Sequence, residues 1–185
     1  MKGVHFPIYR GMIAMNDFYA EYLVEKNPTK ADTAKKVLLV IGMIVLSGLL
    51  FVFFGGLSLV PVGFLLYGGF YLLTGLSTEY EYIITNGSLD VDKVSGQRSR
   101  KRLISTDIST FTAFGKLSDA PEAPADCTTV LASDNTGGED YFADLKHASA
   151  GNVRLIFSPN EKIVEGVEVF LPRQVKAEYR QKYSR

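Results

Sequence analysis

The sequence predicts an α+β membrane protein: a transmembrane helical hairpin, then a seven-stranded antiparallel β-barrel or sandwich capped by a C-terminal helix. Three observations carry this. Residues 37–78, between Lys36 and Glu79, hold no charge and are rich in Leu, Val, Ile and Phe. After Thr78 the apolar period changes from helical to alternating. Ser158-Pro159-Asn160-Glu161 then combines a capping Ser, a Pro at the first helical position and a Glu at the third, a helix start ahead of one amphipathic segment.

The uncharged run is too long for one span. As a single helix its 42 residues would reach roughly 63 Å, about twice the ~30 Å hydrocarbon thickness. Gly55-Gly56 breaks it near the middle, so two spans follow, Val37 to Phe54 and Leu57 to Leu76, with Pro61 tolerable near the start of the second. The run begins too late and is too long for a signal peptide. Lys26, Lys30, Lys35 and Lys36 precede the first span and the connection is uncharged, which places both termini in the cytoplasm of a multi-pass cell-membrane protein. Gly48 with Gly55, Gly56 with Gly63, and Gly68 with Gly75 each return to one helix face, a pattern open to packing of the hairpin on itself, to homo-oligomerisation or to a pore. No ionisable residue lies within either span, which disfavours a transporter or pump.

Residues 1–36 form a leader. Phe18, Tyr22 and Glu25 with Leu23 and Lys26 give a short segment ended by Asn27-Pro28, either an interfacial helix or a frayed extension. The stretch 1–11 has no period, and Met1, Met12 and Met15 are all candidate starts.

The soluble domain spans residues 79–171. Tyr80, Tyr82 and Ile84 alternate with Glu81, Ile83 and Thr85, Asn86-Gly87 supplies a two-residue hairpin turn, and Leu89 and Val91 continue the alternation. That turn sets Ile84 opposite Leu89 and Tyr82 opposite Val91 on the core side, with Ile83 opposite Asp90 and Glu81 opposite Asp92 outside. A three-residue loop, Ser95-Gly96-Gln97, then pairs Asp92 with Arg100 and Asp90 with Arg102, consuming much of the basic cluster 98–102 in cross-strand ion pairs. Arg98 and Lys101 are left over as candidate contacts for lipid or a partner. Further strands are expected at Ile104–Ile108, Phe111–Phe114, Cys127–Ala132, Tyr141–Leu145 and Val153–Phe157, with 115–126 and 134–138 as loops. The last helix sets Ile163, Val164, Val167, Phe170 and Leu171 on one face and stops at Pro172. Residues 172–185 are a basic tail, whose Lys176, Arg180 and Lys182 either lie on an anionic leaflet or are solvated.

Net charge is zero with modest opposed blocks, and no basic stripe suggests nucleic acid. His5 and His147 stand far apart without ligands at metal spacing, and no nucleophile, phosphate-loop or dinucleotide motif occurs. Cys127, the single cysteine, reads as a strand core residue. The acids Asp119, Glu122, Asp126, Asp134, Glu139 and Asp140 read as a solvated face, with weak calcium binding as the alternative. No catalytic, cofactor or metal residue, and no small-molecule substrate, is indicated.

The order of seven strands and one C-terminal helix is that of the pleckstrin-homology (PH) fold. The segment Tyr82-Ile83-Ile84-Thr85-Asn86-Gly87-Ser88-Leu89-Asp90-Val91 resembles the "I-T-x-x-x-L-x-V" start of bacterial PH-like domains, which often follow paired transmembrane helices. Leu103-Ile104-Ser105-Thr106-Asp107-Ile108 is similar to their third-strand region. Pro159-Asn160-Glu161 and Leu171-Pro172-Arg173 are similar to segments of small membrane proteins of Gram-positive bacteria with this architecture. The resemblance implies a non-enzymatic scaffold over residues 79–171 that presents loops to a protein partner or to lipid. PH domains that bind phosphoinositides cluster basic residues at the first hairpin loop, whereas Asn86-Gly87 is short and uncharged.

Overall fold

The computed structural model describes residues 18–124, 126–136 and 138–183. The readings of residues 1–17, with His5 and the alternative starts, and of Gly137 lie outside them. Eight strands form two four-stranded sheets. Sheet A, in order β1-β2-β3-β4, comprises β1 (Tyr19–Glu25), β2 (Thr78–Thr85), β3 (Ser88–Ser95) and β4 (Ser99–Asp107). Sheet B runs β5-β7-β8-β6, from β5 (Phe111–Lys116), β6 (Thr128–Ala132), β7 (Tyr141–His147) and β8 (Gly151–Phe157). The expected seven-stranded antiparallel barrel or sandwich is corrected on two points: the described residues hold eight strands, and β6 pairs with β8 in parallel; of the two expected architectures the sheets form the open sandwich.

The eighth strand is the leader. Ala20, Tyr22 and Val24 alternate with Tyr19, Glu21, Leu23 and Glu25, a strand period where a helix or frayed segment is expected from sequence. β1 pairs with β2 along its whole length, from Tyr19 opposite Thr85 to Glu25 opposite Glu79. Backbone bonds continue the closure, Lys26 N–H to Thr78 C=O at 2.9 Å and Asn27 N–H to Asp134 C=O at 2.7 Å. The leader strand and β2–β4 are therefore one sheet, interrupted by the apolar segment.

That segment is helical from Lys30 to Gly75, with mean hydropathy 3.0 in its most apolar window and none of that window buried. It is long and apolar enough to cross a membrane. Thr29 and Asp32 form a capping box at the start of α1 (Lys30–Phe54). A 3-10 turn, Gly55–Ser58, joins it to α2 (Leu59–Gly75). The helices touch where Met43 Sδ fills the space a Cβ on Gly69 would need. Their outer faces are apolar, Phe53 being 78 % and Leu57 84 % exposed.

The Asn86-Gly87 turn has both central residues at positive φ, and its register is as expected, Ile84 facing Leu89 and Tyr82 facing Val91. All four side chains are fully buried. The next hairpin is corrected. Ser95 pairs with Ser99, so the loop is 96–98, and a bulge at Val91/Asp92 shifts the rest. Asp92 therefore stands opposite Arg102 and not Arg100. Arg102 bridges Asp92 at 2.9 Å and Asp90 at 3.2 Å, while Arg100 reaches Glu81 at 2.8 Å.

Tyr82 ties the two sheets together. Its ring packs edge-on against Phe157, its hydroxyl donates to the Ala132 carbonyl at 2.5 Å and accepts from Ser158 N–H at 3.3 Å. The next helix, α3 (Glu161–Phe170), buries Ile163 and Val167 against this core. Its cap is Asn160, which accepts from Ile163 N–H at 3.0 Å. Ser158, the expected cap, is engaged with Asp140 at 2.5 Å and Asp134 N–H at 3.0 Å. Beyond Pro172 the expected tail is a helix, α4 (Arg173–Tyr183), because Val175, Tyr179 and Tyr183 give it an apolar face against Phe114 and Gly115 of β5. Cys127 is corrected from strand core to a half-buried position just before β6.

Tyr82→Phe strands a buried carbonyl and amide and is expected to cost about 1–3 kcal/mol, measured by denaturant unfolding in detergent. Burial raises the Glu81 carboxyl above the usual carboxylate range, with Arg100 opposing and Glu21 adding to the rise. The folded state then holds its proton more tightly than the unfolded chain, so this group's contribution to stability falls as pH rises through that window. Glu81→Gln is expected to flatten the fall of Tm as pH rises above the usual carboxylate range.

Candidate membrane interface

The base of the helical segment meets one end of sheet A, and the side chains there are set by strand period. The rungs on the core-bearing face of β1 to β4 read Ala20–Ile84–Leu89–Thr106, Tyr22–Tyr82–Val91–Ile104 and Val24–Tyr80–Lys93–Lys101, the last ending at the exposed Lys101. The first two are largely apolar core. The third, nearest the helices, ends in two lysines directly opposite each other, a like-charge pair that is destabilising unless compensated.

The 96–98 loop docks on the end of α2. Gly96 has φ +58, and a Cβ there would lie 2.7 Å from Gly75 Cα and 2.9 Å from the Thr74 carbonyl, so only glycine permits both the turn and the approach. Arg98 stacks over the Tyr71 ring at 3.7 Å, donates to the Tyr71 carbonyl at 3.0 Å and to Thr74 Oγ1 at 2.9 Å. A guanidinium at a helix C-terminus complements the helix dipole. The expectation that Arg98 lacks a partner is corrected: its partner is the apolar helix itself.

The other expected contact residues are dispersed. Lys101 lies exposed on β4 with no side-chain hydrogen bond or ion pair among the described residues. Lys176 donates to the Val169 carbonyl at 3.4 Å, Arg180 pairs with Glu168 at 2.6 Å and Lys182 with Asp119 at 3.2 Å, so all three serve the seating of α4. Of the acids, Glu139 pairs with Lys116 and Asp140 accepts from Ser133 and Ser158. Groups of three or more potential metal ligands are absent among the described residues.

A cavity of about 190 Å³ opens between sheet A and the helix base, lined by Glu25, Lys26, Pro28, Asp32, Lys36, Leu76, Ser77, Thr78 and Lys93. Its three lysines are half-buried, whereas Lys30, Lys35 and Lys101 are exposed. Lys93 was legible in sequence: two residues beyond Val91, it falls on the inward row.

Gly96→Ala is expected to destabilise by about 1–3 kcal/mol and, with Arg98→Ala, to accelerate amide hydrogen exchange at residues 74–78, where the loop and helix meet.

Neither the curated proteins nor the solved structures include a match to this chain. The family profile described as bacterial PH-like domain (DUF6106) matches residues 16–177, which takes in β1, the apolar helices, both sheets, α3 and the start of α4. By that match the chain belongs to the bacterial PH-like domain family DUF6106.

Proposed function

We propose that the protein is a membrane-anchored PH-like interaction module, held by its helix pair at the cytoplasmic surface and binding a protein partner or anionic lipid. The observation that carries this reading is the closure of the apolar excursion by a β-ladder. The chain leaves sheet A after Glu25 and returns at Thr78, with Glu25 opposite Glu79. Ends that are hydrogen-bonded to each other lie on one side of a bilayer, so an inserted excursion crosses it an even number of times. At 1.5 Å per residue α1 and α2 measure roughly 37 and 26 Å, enough for one passage out and one back. Lys26, Lys30, Lys35 and Lys36 stand at the base and the Gly55–Ser58 turn is uncharged, which favours a cytoplasmic base by charge bias. An interaction module, not an enzyme, is the role in keeping with a PH-like family.

A second reading makes the helices the working part, as an accessory subunit of a membrane complex. It is favoured by an apolar groove of about 490 Å³ along the helix pair, lined by Leu39, Met43, Phe64, Gly68 and Leu72 among others. Photocrosslinking from Phe64 and from Lys101 separates the two, since the partner is captured from the groove in one and from the domain in the other.

Full-length protein is expected to remain with membranes through alkaline carbonate washing. Leu46→Asp with Phe64→Asp, each costing about 2.5–3.5 kcal/mol of insertion free energy at a helix centre, is expected to release it. Release of the unsubstituted protein by carbonate would remove the basis of the anchoring reading.

A further inference from the structure

We propose that the cavity between the helix base and sheet A is a binding site for the phosphate of an anionic phospholipid, held by Lys26, Lys36 and Lys93. The inference rests on the membrane reading above and assigns a ligand to its interface.

Three observations converge. The cavity holds three half-buried lysines that make no side-chain hydrogen bond or ion pair among the described residues. The carboxylates that also line it are Glu25 and Asp32, and Asp32 is already engaged, accepting from Thr29 N–H at 3.1 Å and Thr29 Oγ1 at 2.8 Å. Three cations against two anions leave the cavity lining positive, and Lys101, outside the lining, stands opposite Lys93 in the strand register. An anion bound there would compensate the Lys93/Lys101 juxtaposition, which the chain itself leaves unpaired.

The cavity's level selects the ligand. Lys36 is the last charge before the apolar run, and Leu76, Ser77 and Thr78 are the first residues beyond α2, so the site sits where headgroups meet hydrocarbon. A phosphate attached to acyl chains can reach it with its tails along the exposed helices, whereas a free phosphate gains nothing from that apolar surface. The site is at the opposite end of β3 from the Asn86-Gly87 loop.

The test uses full-length protein in nanodiscs of phosphatidylcholine with and without phosphatidylglycerol, with retained lipid counted by native mass spectrometry. Preferential retention of phosphatidylglycerol is expected. Each of Lys26→Gln, Lys36→Gln and Lys93→Gln is expected to weaken that preference by about fivefold, the fold-change equivalent to ~1 kcal/mol per cation at an anionic surface. Lys30→Gln with Lys35→Gln, outside the cavity, is expected to leave it nearly unchanged. An equal loss in that control would overturn the site in favour of diffuse attraction. Displacement of the lipid by inorganic phosphate at similar concentration would overturn the lipid as ligand. Comparable Tm values across the variants confirm that a loss reflects binding; a collapse of Tm in a lysine variant would instead assign that residue to the fold and remove it from the site. Failure to enter nanodiscs at all overturns the anchoring reading, while insertion with lysine-independent lipid retention overturns only this inference.

Discussion

The ladder between β1 and β2 is the constraint on which the rest of the structure depends. It makes the helical segment a loop of the sheet instead of a preceding anchor. Because β1 is one edge of sheet A and α3 packs across β1 and β2, pulling the excursion's ends apart would unpair β1 and uncover Ala20, Val24, Tyr80 and Ile163 together. The same ladder imposes an order on folding. β1 is synthesised before the helices and its partner after them, so sheet A is completed only once the apolar segment has been accommodated, a long loop closure that slows assembly more than it weakens the final state.

Electrostatics on sheet A follow from that arrangement. Glu81 and Asp92 face each other across β2 and β3 with side chains only 5 % and 3 % exposed. Such carboxylates are tolerated because Arg100 and Arg102 lie over them. Exposed ion pairs contribute little, but removing an arginine here would leave a desolvated charge behind, which is costly. The basic cluster 98–102 is thus divided by position: Arg98 holds a helix end, Arg100 and Arg102 neutralise buried acids, and Lys101 faces the inward row's open end.

How much of this was legible in the sequence depended on whether local signals outweighed tertiary ones. The Asn86-Gly87 turn specifies its own register, and the four core residues around it could be named in advance. The apolar run declared itself by length and composition, and α3 by its 163/164/167 face. β1 was missed because seven residues before a proline-bearing break carry little local preference, and its alternation gains meaning only beside β2. The 95–99 turn departs from the register read from sequence because the loop is chosen by the docking of Gly96 on Gly75 and Arg98 on Tyr71, contacts between segments more than twenty residues apart. By sequence the tail is a cationic terminus, lying on an anionic leaflet or solvated, since its three apolar anchors, Val175, Tyr179 and Tyr183, are outnumbered by charges, and only the flank of β5 turns them into a helix. Within the candidate site, sequence register leaves Arg98 and Lys101 without cross-strand partners and shows Lys26 and Lys36 as flanking charge, whereas their meeting with Lys93 requires the fold.

The last consequence concerns β4. It is the other edge of sheet A, and its first half, Ser99 to Arg102, is bare to solvent. In the proposed anchored state, copies diffuse in a plane with their sheets held at a common height, so strand edges meet in register far more often than they would in free solution. An uncharged edge there would be a template for continuous pairing. Arg100 and Arg102 are matched by Glu81, Asp90 and Asp92, so Lys101, without an ion pair among the described residues, is the charge that opposes such an encounter between neighbouring edges.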